Sequence, residues 1–366
     1  MSDKAFVKAY LEDFSALVKP NDQIVEKISK IKVDQLSQFY QKVFKSRYKL
    51  LTNNWKWWYR LNYLDFEPIV LISNNKVVGQ MGIIPVKIKL GNKIVSGVWY
   101  IDFAVLPELQ GKGAGSKLVK ECMKIFPIQM AFGNENALRV YKKFDWQINR
   151  TIKRLARPIN PIKWMPILKN LDLKIFNNLF NNSLRKHLSV YESIEPHSFN
   201  NNSNFIFETF SKKKELLSPY PEIYRDEDWL RWRLLDSPFN KNIKFFEYKG
   251  NFAITHIIKS KNIRRLHIVF HYYLDESYEA KLYYSIAKWS IENNIDLLWS
   301  CSNDQNLIND INKILPKQFT KPITLASFSS DKNINEKLNL GFQNIQGIDS
   351  DSDIVPLVDN NTALHV

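Results

Sequence analysis

Glycine is rare in this chain and is concentrated in one stretch. Only 11 of the 366 residues are glycine, and eight of them lie between positions 79 and 133. Three of the eight, Gly111, Gly113 and Gly115, fall within five residues. Glycine adopts left-handed backbone conformations at little cost and lets a backbone or a ligand approach closely. We therefore expect chemistry that needs close backbone approach to be located in this stretch.

The composition excludes several classes of protein. Hydrophobic residues make up 45 % of the chain and charged residues 24 %, which is typical of a folded protein with a core rather than of a disordered one. The two cysteines, Cys122 and Cys301, lie far apart and predict neither a disulfide framework nor a metal site. The first residues lack the apolar stretch of a signal peptide, and no run approaches the ~20 apolar residues of a membrane span. We expect a soluble, cytoplasmic protein.

The net charge favours an anionic partner. Lysine and arginine exceed the acidic residues by 15, which suggests nucleic acid, a membrane surface or a phosphorylated small molecule. The basic residues are scattered, and the densest runs, Lys212–Lys214 and Lys261–Arg265, are too short for a nucleic-acid footprint. No zinc-finger spacing or ribonucleoprotein motif accompanies them. We therefore expect no nucleic-acid partner.

The pattern of apolar residues predicts an α/β (α+β) protein of two domains. Helical spacing up to residue 47 is followed by strands from Ile69, and helices and strands then alternate to residue 155. Prolines at 158, 161 and 166 mark a linker, which divides the chain into domains 1–157 and 158–366. The pattern suggests that the second half repeats the plan of the first, because Trp55–Arg60 and Trp229–Arg233 each introduce a set of strands about 174 residues apart.

The glycine cluster joins a strand to a helix. An apolar strand ends at Val105, and an amphipathic helix with apolar Leu118, Val119 and Cys122 follows Gly115. Backbone N–H groups at such a junction point into one concavity at the positive end of the helix dipole, where a pyrophosphate fits. The spacing matches neither a Walker loop nor a dinucleotide-binding fingerprint.

Two motifs resemble a known family. Phe103-Ala-Val-Leu-Pro107, followed by Gln110-Gly-Lys-Gly-Ala-Gly-Ser116, looks like the coenzyme A loop of the GCN5-related N-acetyltransferases (GNAT family). Downstream, Asn134-Glu-Asn-Ala-Leu-Arg-Val-Tyr-Lys-Lys-Phe-Asp-Trp146 resembles the family's Asn-x-x-Ala-x-x-x-Tyr-x-x-Leu-Gly-Phe block. The resemblance covers roughly residues 50–155. It departs from the family at Asp145, which stands where glycine is usual and puts the local turn in question.

The resemblance implies transfer of an acetyl group from acetyl-CoA to a primary amine by direct attack on the thioester, without a metal. It also implies a mixed, mostly antiparallel central sheet flanked by helices. It places Asn134 and Tyr141 near the sulfur, the strand residues along the pantetheine arm and the loop around the pyrophosphate. The implied cofactor-binding residues are Phe103, Ala104, Val105, Gln110, Gly111, Lys112, Gly113, Ala114, Gly115, Ser116, Asn134 and Tyr141.

Tyr141 and Asp102 are the candidate catalytic residues. A phenol has a reference pKa of about 10, so Tyr141 would stay protonated and donate to a departing thiolate, unless it is simply a core residue. Asp102 lies in the reacting strand, but strand alternation turns it away from Phe103 unless a bulge shifts the register. It is either the base or a structural carboxylate. Glu135, Glu108 and water are the alternatives.

The second half lacks the glycine loop and should not bind coenzyme A. We expect a degenerate GNAT-like domain that shapes the acceptor pocket. The tandem arrangement resembles acetyltransferase-like proteins of bacterial surface-polysaccharide synthesis, which makes an amino sugar, free or nucleotide-linked, an acceptor to test. The alternatives are a non-catalytic acyl-CoA-binding protein and a transferase that uses aminoacyl-tRNA.

Overall fold

The computed structural model describes two stretches of the chain. They are residues 23–159 except 46 and 62, and residues 219–351 except 261, 262, 274–278, 306, 307 and 310–318, with isolated positions between 182 and 208. These residues form two compact units. The first comprises the described residues up to Ile148 together with Leu325–Leu340, and the second comprises those of Asn149–Thr324 and from Gly341 onward. The helical pattern predicted for residues 1–22 lies outside the described residues.

The first unit is built on a sheet in the order β1-β2-β3-β4-β5. Its strands are β1 (Ile24–Lys27), β2 (Ile69–Ser73), β3 (Lys76–Leu90), β4 (Lys93–Val105) and β5 (Ile128–Phe132). Its helices are α1 (Val33–Val43), α2 (Tyr48–Trp58), α3 (Ala114–Ile125) and α4 (Glu135–Lys142). Neighbouring strands are antiparallel except β4 and β5, which α3 connects as a parallel pair.

Helices cover both faces of this sheet. The apolar stripe of α3 packs on one face, where a Cβ added to Gly79 would lie 3.1 Å from Leu118 Cδ1. The chain that follows α2 packs on the other face, where a Cβ added to Gly82 would lie 2.7 Å from Tyr59 Cε1. Each glycine therefore lets a side chain that packs on the sheet approach the backbone closely: Leu118 of α3 at Gly79, and Tyr59, just after α2, at Gly82.

The second unit has a sheet in the order β6-β12-β11-β10-β9-β7. Its strands are β6 (Gln147–Pro158) from Asn149 onward, β7 (His197–Ser198), β8 (Glu222–Tyr224), β9 (Ile243–Tyr248), β10 (Asn251–Ser260), β11 (Ile263–Tyr272), β12 (Leu297–Ser302) and β13 (Phe319–Ser329) as far as Thr324. Its helices are α5 (Glu227–Leu230) and α6 (Glu279–Glu292), and α7 (Lys332–Asn339) belongs to the first unit. Among the described strands of this sheet, β11 and β12 are parallel and all other neighbouring strands are antiparallel. One face packs against α6 through Leu282 and Ile286.

The predicted fold class is confirmed, with mixed and mostly antiparallel sheets flanked by helices. Three features were not predicted. Ile24–Lys27 form strand β1, although helical spacing was predicted up to residue 47. Trp55–Trp58 form the end of a helix, and Tyr59 and Arg60 follow it, although the sequence suggested the approach to a strand. Leu325–Ser329 of β13 pairs with β5, so this part of the predicted second domain belongs to the first compact unit. The assignment of domains at 157 and 158 stays a prediction.

Candidate functional site

Strands β4 and β5 separate at the centre of the first unit. Their parallel pairing covers Val98 to Tyr100 of β4, and beyond Tyr100 no described residue of β5 is opposite it. On its other edge β4 stays paired with β3 as far as Val105. Leu106 N donates to Val78 O of β3, so alternation turns the polar backbone groups of Val105 away from β3, into the split. Val105 O accepts from the Gln110 side chain, so among the described residues the split leaves the N–H of Val105 for an extended ligand.

The loop after β4 leads into a helix start with unused donors. Gly111 and Gly113 have φ of 77° and 87°, and a Cβ at either position would meet nothing within 4 Å. Within the described part of the chain, nothing accepts a hydrogen bond from the N–H groups of Gly111, Gly113, Ala114, Gly115 or Ser116. The first turn of α3 carries neither an acidic residue nor a side-chain cap. The predicted loop residues thus form a concavity that fits an anion.

Two predicted residues flank this concavity. Gln110 is exposed, and its side-chain amide donates to Val105 O at 3.3 Å, which ties the loop to the end of β4. Lys112 is exposed, and its N–H donates to Leu109 O, so it adds a positive charge beside the free donors. A Cβ on Gly115 would lie 3.1 Å from Phe103 Cζ, so this glycine lets α3 approach β4.

Tyr141 lies on the same side of β4 as Phe103. Its ring stacks on Trp146 at 4.5 Å between centroids, and the Phe103 ring is 6.3 Å away on the strand. Such aromatic pairs stabilise by about 0.5–1.5 kcal/mol each beyond the burial of area. Burial raises the pKa of the Tyr141 phenol, and the nearby Cys122 adds to the effect. The side chain is therefore protonated and rigidly placed beside the split.

Asn134 begins α4. Its side-chain oxygen accepts a hydrogen bond from Ala137 N at 2.9 Å, a helix cap of a kind worth about 1 kcal/mol. That oxygen is thus engaged, and the amide Nδ2 is the group left for a ligand. After the helix, Asp145 takes up φ of 56°, so an aspartate makes the left-handed turn for which the family uses glycine.

Asp102 is separated from Tyr141 by the sheet. Its carboxylate faces α2, where Trp58 Nε1 donates to Oδ2 at 2.7 Å and Arg47 Nη2 lies 2.7 Å from Oδ1. The side chain has no exposed surface. The structure therefore does not bring the two predicted catalytic residues together, and these contacts favour a structural role for Asp102. Of the alternative bases, Glu135 is exposed in the first turn of α4 and Glu108 is partly buried after β4.

The corresponding split in the second unit is filled by the chain itself. Parallel pairing of β11 with β12 ends at Ile268 and Ser300, as β4–β5 pairing ends in the first unit. The Gln346 side chain then accepts from His271 N at 2.8 Å and donates to His271 O at 3.1 Å. The backbone of Gln346 also forms an antiparallel bridge with Ser302 of β12. Gln346 thus satisfies the strand backbone that a ligand would otherwise use. Nothing in the sequence marked this residue.

Among the described residues, no group of three or more His, Cys, Asp and Glu side chains is arranged to hold a metal ion. In the same part of the chain, no helix has the length and apolar character needed to cross a membrane.

Comparison with known proteins identifies the domain that holds the split. Residues 30–146 match the model of the acetyltransferase (GNAT) family. Among curated proteins, none matches this chain. A GCN5-related N-acetyltransferase from Anabaena variabilis has a TM-score of 0.55 at 15 % identity, over 84 % of this chain and 73 % of that chain. A GCN5-related N-acetyltransferase from Kribbella flavida gives 0.54 at 10 %, over 83 % and 71 %.

A third similar structure is that of an enzyme solved with a bound acyl-coenzyme A. Saccharomyces cerevisiae N-myristoyltransferase, solved with bound myristoyl-CoA, has a TM-score of 0.52 at 12 % identity, over 85 % of this chain and 78 % of that chain. At such identities the likeness shows the fold alone. It extends well beyond residues 30–146 and so includes much of the second half.

Proposed function

We propose that this protein transfers an acetyl group from acetyl-CoA to the primary amine of a small molecule, because residues 30–146 match the model of the acetyltransferase (GNAT) family. One observation carries the proposal. Five unused N–H groups, at Gly111 and at Gly113 to Ser116, converge beside the open backbone of β4. A pyrophosphate joined to an extended arm needs both features side by side.

Each predicted cofactor residue has a part in this proposal. The backbone of Phe103 to Val105 pairs with the pantetheine arm, and the N–H groups of residues 111–116 hold the pyrophosphate, with Lys112 adding charge. Gln110 fixes the loop, and Asn134 offers its Nδ2 near the sulfur. Acetyl-CoA supplies the activated acyl group. The described residues fit it because the donors are free and the first turn of α3 carries neither a side-chain cap nor an acidic residue.

Tyr141 is the proton donor in this proposal. The amine nitrogen forms a bond to the carbonyl carbon while the carbon–sulfur bond breaks. The sulfur then takes the phenol proton, and the phenolate regains a proton from the water that accepts the proton of the amine. Burial keeps Tyr141 protonated, so the proton is present at every working pH. The amine loses its own proton to water, because Asp102 is paired with Arg47 on the other face of the sheet.

We further propose that the acceptor is an amino sugar and that the second unit, a degenerate GNAT-like domain, contributes to its recognition. The net charge of +15 suits a phosphorylated, nucleotide-linked acceptor. Gln346 supports the view that only the first unit takes acetyl-CoA, since it occupies the corresponding split.

Two measurements test the function. Calorimetry should show micromolar binding of acetyl-CoA to the wild-type protein and none to Gly113→Glu, which places a carboxylate in the anion site. Mass spectrometry of reactions with amino sugars and other amines should show a product heavier by one acetyl group. Binding without a product across the panel would favour a non-catalytic acyl-CoA-binding protein. A response to charged tRNA without any to acetyl-CoA would favour an aminoacyl transferase.

A further inference from the structure

Strand β4 carries a β-bulge where it parts from β5. Gln80 of β3 lies opposite Ala104 and Gly82 opposite Ile101, so one residue of β3 faces both Asp102 and Phe103. Asp102 has φ of 48°, the left-handed region that costs energy for any residue with a Cβ. Pairing with β5 ends two residues earlier, at Tyr100. The bulge is therefore the point from which the free backbone of β4 is directed into the split.

The carboxylate of Asp102 anchors this bulge from the opposite face of the sheet. Trp58 Nε1 and the Tyr59 hydroxyl donate to Oδ2 at 2.7 and 3.2 Å, and the Arg47 guanidinium lies 2.7 Å from Oδ1. The carboxylate side chain is fully buried and that of Arg47 is 13 % exposed. Because a buried carboxylate is stable only when it is paired, these contacts hold Asp102 in its strained conformation.

The hydrogen bonds around Asp102 extend to residues of β3 and α1. The Tyr59 hydroxyl accepts from Gln80 Nε2 at 2.7 Å, and Gln80 Oε1 accepts from the Tyr40 hydroxyl at 2.8 Å. Burial raises the pKa of both phenols, so both remain donors. We call Tyr40, Arg47, Trp58, Tyr59, Gln80 and Asp102 the bulge network. It ties two helices and a strand to the residue at which β4 changes direction.

We propose that Asp102 is a positioning residue for acyl transfer. Its paired carboxylate fixes the bulge so that the backbone beside it presents a donor to the thioester oxygen of acetyl-CoA, where charge develops in the reaction. This inference rests on the proposed function, and it assigns Asp102 no proton to carry. The bulge network lies on the face away from Tyr141, so it acts on the reacting atoms only through the backbone.

The variant Asp102→Asn tests this role because it keeps the size of the side chain and removes the charge that pairs with Arg47. We expect kcat to fall about 10- to 100-fold, since misplacing one preorganised donor has a large effect on rate. The dissociation constant of acetyl-CoA, measured by calorimetry, should change less than about 3-fold because residues 111–116 are untouched. The pH–rate profile should keep its shape, whereas loss of its acidic limb would identify Asp102 as a base and overturn the proposal.

Hydrogen exchange provides a readout that does not depend on turnover. Amides of residues 101–105 should exchange faster in Asp102→Asn than in the wild type. Ile88→Val is the matched control, because it weakens the buried core of β3 away from the bulge network. It should leave both kcat and the exchange of residues 101–105 unchanged. An equal loss of kcat in Ile88→Val would show that the loss in Asp102→Asn comes from lower stability of the fold, and it would refute the positioning role.

Two milder variants cover the case in which Asp102→Asn does not fold. Tyr59→Phe removes one hydroxyl and Arg47→Lys keeps the charge, so each should lower kcat by less than Asp102→Asn while leaving acetyl-CoA affinity intact. Unchanged kcat in both would overturn the proposal. Wild-type protein that binds no acetyl-CoA would defeat the proposed function itself. Normal binding with unaltered kcat and exchange in Asp102→Asn would defeat the positioning role alone.

Discussion

Replacing Gly113 by alanine should weaken acetyl-CoA binding far more than it weakens the fold. Gly113 caps α3 with φ of 87°, and a Cβ there would meet no protein atom within 4 Å. The substitution therefore adds only the strain of a left-handed alanine, about 1–2 kcal/mol. For a domain of 150–250 residues, this should lower Tm by roughly 2–8 °C.

Gly91 provides a matched control for that strain. It lies in the turn between β3 and β4 with φ of 65°, and a Cβ there would also meet nothing within 4 Å. Gly91 stands at the opposite end of β4, which has 13 residues and so spans roughly 40 Å. Gly91→Ala should lower Tm as much as Gly113→Ala does and leave acetyl-CoA affinity at the wild-type value.

The loss of affinity follows from the place of the added methyl group. At residue 113 it stands in the concavity and keeps an anion from the N–H groups of the helix start. Each hydrogen bond to a charged group contributes about 1.5–3 kcal/mol, so loss of one should raise the dissociation constant roughly 10- to 100-fold. Calorimetry and thermal denaturation of both variants check this. Equal affinities in wild type and Gly113→Ala, or an equal loss in Gly91→Ala, would refute the assignment of the loop.

Three further outcomes are expected. Tyr141→Phe should lower kcat at least 10-fold without changing acetyl-CoA affinity, and the wild type should show no alkaline loss below about pH 10, because burial raises the phenol pKa; unchanged kcat would remove its acid role. Burial, with Arg233 nearby, lowers the pKa of His256 to about 3 from 6.5, so only the unfolded chain gains a proton as pH falls below 6.5. Relative to His256→Leu, the wild type should lose about 2 kcal/mol between pH 7 and pH 5 in urea unfolding, and parallel curves would contradict this. Calorimetry should give one acetyl-CoA per chain, since Gln346 fills the second split; a stoichiometry of two would show that it yields to a ligand.

The glycine loop after β4 could be predicted from the sequence because the residues that shape it are adjacent in the chain. Left-handed backbone at residues 111 and 113 requires glycine, and the helix that follows is visible as an apolar stripe. These features depend on neighbouring residues only, so the sequence displays them directly. The same holds for Asn134, whose place just before a helix is a property of a few adjacent residues.

The environment of Asp102 could not be predicted. Strand alternation placed Asp102 on the face opposite Phe103, and the structure has it there, but alternation gave no partners for its carboxylate. Its partners, Arg47 and Trp58, are 55 and 44 residues away in the sequence, on another element. Whether a carboxylate is a base or an anchor depends on what surrounds it, and those contacts are non-local.

Sequence alone determined the class of fold and the strand–loop–helix that would take a pyrophosphate, because both depend on local backbone preference and periodicity; the place of Tyr141 followed from the resemblance to a family. The tertiary structure decided which partners hold the carboxylate of Asp102, that Leu325–Ser329 completes the first unit beside β5, and that Gln346 fills the split of the second. These depend on strand pairing and side-chain contacts between residues far apart in the chain, whose energies no local pattern records.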